Sequence, residues 1–62
     1  MCESNAYLLK DGDEELIMES VRFLQLDGDR VLLKSIFGEE ASIEAALREM
    51  DLTSHRIVLV KR

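Results

Sequence analysis

The chain predicts an all-β fold, a small sheet or barrel of about five to six short strands, and three observations carry that prediction. It has three glycines and no proline, and each glycine separates one apolar segment from the next. Two of the glycines stand in Asp-Gly pairs, which tolerate the positive φ angles that tight hairpins demand. The segments between them alternate or run aliphatic over lengths suited to strands.

Residues 6–9 form the first such segment, and Lys10-Asp11-Gly12-Asp13 closes it with a hairpin signal. Residues 16–18 and 21–26 follow as two further segments, and Asp27-Gly28-Asp29 supplies the second hairpin signal. Residues 31–37 run aliphatic up to the third turn, Phe37-Gly38-Glu39-Glu40. The next stretch permits two readings. Residues 39–50 are rich in helix formers, and Ile43, Ala46, Leu47 and Met50 recur at i, i+3, i+4 and i+7, so local propensity favours an amphipathic helix. The alternation of Ile43, Ala45 and Leu47 equally allows a strand, which would pair with residues 57–60 across Asp51-Leu52-Thr53-Ser54-His55.

Sixty-two residues make a single domain, residues 1–62, near the lower limit for burying an adequate core without a staple. One cysteine excludes an intrachain disulfide, while 47% hydrophobic residues is high for so short a chain, so a homodimer is expected to cover the surplus. Thirteen acidic residues against eight basic ones give a net charge of −5, which repels phosphate backbones and anionic lipid. The basic residues are scattered, and the three aromatics are more simply core than base-stacking platforms. Nucleic-acid and membrane partners are therefore not expected. The longest aliphatic run, residues 57–60, is far too short to span a bilayer, and the charged opening resembles no signal peptide, which predicts a cytoplasmic protein.

The residue with the most chemistry is Cys2, directly behind Met1. A small second residue lets the initiator be trimmed, leaving a thiol and a free α-amine on one residue. Their reference pKa values, about 8.5 and about 7.7–8.0, allow a soft divalent metal to displace both protons and to recruit the backbone amide nitrogen of Glu3. One thiolate and two nitrogens in adjacent five-membered rings suit a square-planar ion, Ni(II) or Cu(II). A reducing compartment favours Ni(II), because Cu(II) oxidises thiolate. A lone cysteine is more often a small buried hydrophobe, but a terminal position is seldom deep core. Cys2 and Glu3 are thus the candidate metal residues.

Other candidates are weaker. His55 is a lone histidine in a Ser-His-Arg turn, where exposure or backbone bonding is commoner than ligation. Asp11, Asp13, Asp27 and Asp29 lack EF-hand spacing and read as turn residues. No serine has a nucleophile motif around it, and no glycine-rich phosphate loop is present, so the chain is not expected to be an enzyme.

The opening Met1-Cys2-Glu3-Ser4-Asn5-Ala6-Tyr7, the central Ile36-Phe37-Gly38-Glu39-Glu40 and the closing His55-Arg56-Ile57-Val58-Leu59 resemble the CooT family over nearly the whole chain. These are small nickel-binding proteins first associated with maturation of carbon monoxide dehydrogenase. The resemblance implies an Sm-like or SH3-like β-barrel, a homodimer, Ni(II) bound through Cys2 and no catalysis. It also implies a nickel-enzyme apoprotein such as carbon monoxide dehydrogenase as partner, and a strand rather than a helix at residues 41–50. The expected function is nickel storage or delivery. An RNA-binding barrel or a structural interaction module are the alternatives, since a barrel alone does not specify function.

Overall fold

The computed structural model describes residues 3–62, and these form five strands and no helix. They are β1 (Ser4–Lys10), β2 (Asp13–Asp27), β3 (Arg30–Ser35), β4 (Glu40–Asp51) and β5 (Arg56–Lys61). The strands pair in sequence order and close into a barrel, with β5 returning to β1. The four consecutive pairs are antiparallel, and in a ring of five strands the closing pair, β1 with β5, is left parallel.

Both hairpins follow from their Gly-Asp chemistry. Asp11 and Gly12 take φ values of 52° and 84°, the two positive angles of a type I′ turn between the paired residues Lys10 and Asp13. In the second, Gly28 has φ 59° while Asp29 is not in the left-handed region, the pattern of a type II′ turn between Asp27 and Arg30. The turning pair is thus Gly28-Asp29 rather than Asp27-Gly28.

The two apolar segments expected at 16–18 and 21–26 are halves of one strand. Fifteen residues at a rise of about 3.3 Å would run for roughly 50 Å, yet the longest dimension of the molecule is 31 Å, so β2 has to bend. It does so at Ser20, which has φ 55° inside the strand. Before the bend β2 pairs with β1, and from Val21 onward it pairs with β3. β4 divides its partners in the same way, with Glu40 to Glu44 on β3 and Ala45 to Asp51 on β5.

The helical reading of residues 41–50 is overturned. Ala41, Ile43, Ala45 and Leu47 point inward while Ser42 and Glu44 are exposed, a period of two rather than 3.6. Alanine is used here for its size. Ala6 and Ala45 are completely buried where a narrow barrel leaves no room for larger inward side chains. The core is built from those two with Met18, Val21, Val31, Leu33, Ile57 and Leu59, flanked by Leu8, Ile17, Leu24, Ala41, Ile43 and Leu47.

Alternation turns Tyr7, Val58 and Val60 away from the barrel interior, Tyr7 and Val60 half-buried there and Val58 covered by its neighbours at 4% exposure. They are adjacent there, since Tyr7 pairs with Val58 and with Leu16, and Leu9 and Ala46 both pair with Val60. The barrel therefore carries an apolar band outside as well as a core inside.

Candidate metal centre

Cys2 lies outside the described residues, so the ligand set expected there is not located. Glu3 is half-buried and leads into β1. What the structure defines is the end of the barrel from which this tail emerges, and three elements converge on it.

Asn5 ties the base of the tail to two of them. Its backbone N–H donates to the carbonyl of His55 at 2.9 Å, and its side-chain Oδ1 accepts the N–H of Ser20 at 3.2 Å. The second bond has a structural cause. The bend at Ser20 shifts the β1–β2 register between the pairs Ser4/Val21 and Ala6/Met18, and the Asn5 amide supplies the acceptor at that break.

The third element is the turn between β3 and β4. Ser35 is completely buried, and its hydroxyl accepts the N–H groups of Phe37 at 3.1 Å and Glu39 at 3.2 Å. Its backbone N–H donates to Glu39 O at 2.9 Å, and the next residue, Ile36, donates to Ser20 O at 2.9 Å. Gly38 turns the chain with φ 89°. With the Gly38 N–H donating to the Ser35 carbonyl at 3.3 Å, five hydrogen bonds hold this five-residue turn, and Phe37, 70% exposed, stands at its tip. Nothing in the serine content alone distinguishes Ser35 from the other four. Its position at the inward-facing end of an aliphatic strand, just before a glycine turn, is the only sequence signal.

His55 is exposed and has φ 57°, in the turn from β4 to β5. Its carbonyl thus meets Asn5 whatever its imidazole does. Asp51 closes the same turn by accepting the N–H groups of Thr53 at 3.0 Å and Ser54 at 3.1 Å. The Ser54 N–H, then the Ser54 hydroxyl and the Thr53 N–H, hold the Asp51 carboxyl below its ordinary value. Asp11, Asp13, Asp27 and Asp29 sit in or beside the two hairpin turns, as turn residues should. Among the described residues no group of three or more His, Cys, Asp or Glu side chains could hold a metal ion.

On the outer wall Arg56 lies over the Tyr7 ring, 4.4 Å from its centroid, and pairs with Glu14. The hydrogen bond it donates to the Glu14 carboxylate is the main reason its pKa is raised. Among the described residues no helix is long and apolar enough to cross a membrane.

Five strands in sequence order, closed by a parallel pair of the first and last, define a small single-barrel protein. The chain belongs to the CooT family: the family model for CO dehydrogenase accessory protein CooT matches residues 1–60. The crystal structure of a protein assigned as CooT from Carboxydothermus hydrogenoformans superposes with a TM-score of 0.91 at 34% sequence identity, covering 98% of each chain. An uncharacterized protein from Methanocaldococcus jannaschii is 29% identical over 59 residues, 95% of this chain and 96% of its own.

Proposed function

We infer that the protein is a non-catalytic nickel carrier of the cytoplasm, which stores Ni(II) or delivers it to the apoprotein of a nickel enzyme, carbon monoxide dehydrogenase being the recipient its family suggests. The observation that carries this reading is the family match, which runs from residue 1 and so includes Cys2. Once Met1 is removed, the Cys2 thiolate, the Cys2 amine and the deprotonated Glu3 amide nitrogen form a planar donor set suited to a d8 ion. The Glu3 carboxylate is a harder donor than nickel prefers beside thiolate; it can receive the protons that binding displaces. Asn5 supports the arrangement by fastening the tail to the barrel two residues beyond Glu3, which keeps the cargo at the surface and within reach of a recipient.

The carrier is a homodimer in this reading. The outer band of Tyr7, Leu9, Leu16, Ala46 and Val60 is the surface a second copy would cover. Val31 and Leu33 are wholly inside the barrel, so Leu32 is the apolar side chain of β3 that stays partly exposed for such an interface.

The test is a nickel titration of the purified protein combined with mass spectrometry of its N-terminus. The expected result is thiolate-to-nickel charge-transfer absorption in the near ultraviolet that depends on Cys2 and on loss of Met1. Unchanged spectra and affinity in Cys2→Ser would overturn the assignment.

A further inference from the structure

We propose that the free edge of the first half of β2, together with the Phe37 turn, is the docking surface for an extended segment of the recipient protein, one that sets an apolar side chain beside a lysine or arginine. This rests on the delivery reading above. It adds where the recipient is held and by what chemistry.

The edge exists because β2 bends. From Asp13 to Glu19 the strand pairs with β1 on one side only, since its pairing with β3 begins at Val21. Among the described residues, the backbone groups on the other side of that half have no strand beside them. A row of unpaired N–H and C=O groups is a template for an added strand.

Beside this edge lies a cleft of about 380 Å³, lined by Leu16, Ile17, Met18, Glu19, Phe37 and Glu39. Its apolar wall is made by Leu16, Ile17 and Met18 of the strand and Phe37 of the turn. The buried Ser35 hydroxyl accepts the backbone N–H groups of Phe37 and Glu39, so the backbone that presents Phe37 is fixed. A turn formed in advance leaves less chain to order when a partner covers its tip.

Charge selects the partner. The two ionisable groups lining the cleft among the described residues, Glu19 and Glu39, are both carboxylates. The edge itself adds Asp13 and Glu15, while Glu14 is paired with Arg56. A second copy pairing edge to edge would set these acids against their own counterparts, which is unfavourable in an isologous contact. A basic segment gains where a second copy loses.

The experiment uses nickel-free carbon monoxide dehydrogenase from the same organism as the probe and measures its binding to the full-length protein, with nickel titrations of every variant run alongside. Phe37→Ala and the double variant Glu19→Gln/Glu39→Gln should each weaken binding about ten-fold or more, and raised salt should weaken the wild type toward the double variant. Nickel affinity should stay unchanged in both. Leu26→Ala, an exposed leucine beside the far hairpin, should bind the probe like the wild type. Three results overturn the docking surface: no binding by the wild type, binding unaffected by Phe37→Ala, or a loss of self-association in these variants with recipient binding intact. Docking that persists while nickel titration fails would instead sink the carrier reading and leave the surface standing.

Discussion

The backbone N–H of Asn5 and the carbonyl of His55 are joined at 2.9 Å, at the start of the one parallel strand pair that closes the barrel. The same residue's side chain takes the N–H of Ser20. Asn5 therefore links the emergent tail to both neighbours of β1. Asn5→Ala should cost about 1–3 kcal/mol by leaving the Ser20 N–H without its acceptor, while the nickel charge-transfer spectrum persists, because the proposed donors lie upstream. Denaturant unfolding and a metal titration of the variant check the two halves.

Nickel affinity should fall steeply below neutral pH, because a thiol proton, an amine proton and an amide proton must all leave when the ion binds. A chain that keeps Met1 should bind more weakly, since the Cys2 nitrogen is then an amide. Titrations at several pH values on trimmed and untrimmed protein measure both effects, and a flat profile would point to carboxylate ligands.

Ser35→Ala should destabilise the protein by about 1–3 kcal/mol, as the turn N–H groups of Phe37 and Glu39 lose a buried acceptor. Leu33→Ala should cost more, about 2–5 kcal/mol, because its side chain is wholly buried in the barrel. Equilibrium unfolding should rank them in that order.

Asp51 makes a pH-dependent contribution to the β4–β5 turn. Its folded pKa is lowered from 3.8 by the Ser54 and Thr53 donors, so the stabilisation is complete above the unfolded value and lost as pH falls through the folded one. Amide exchange at Thr53 and Ser54 should accelerate over that acidic window beyond the intrinsic pH effect. Asp51→Asn should remove the pH dependence.

The metal-free protein should sediment as a dimer at low micromolar concentration, with the outer band covered. Tyr7→Glu would place a charge in that band, opposite Val58 on one side and Leu16 on the other, and should shift the equilibrium to monomer. A wild-type protein that dimerises only with nickel would show the ion, rather than apolar burial, to be the link.

By itself the sequence determined the all-β class, both hairpins and the glycine turn, and it singled out Cys2 as the residue to test for metal binding. Each of these is local: Asp-Gly carries its own φ preference, and alternation carries its own period. Residues 41–50 were not legible in this way, because the alanines that suit a helix are equally what a narrow barrel needs at its inward positions, and only the closure of β4 onto β3 and β5 decides between them. The fusion of two apolar segments into β2 and the acceptor role of Asn5 likewise belong to the bend at Ser20, whose carbonyl also takes the N–H of Ile36 in the next turn. That bend is a demand of ring closure, set by contacts between residues far apart in the chain, and it exposes both the strand edge and the Phe37 turn beside it.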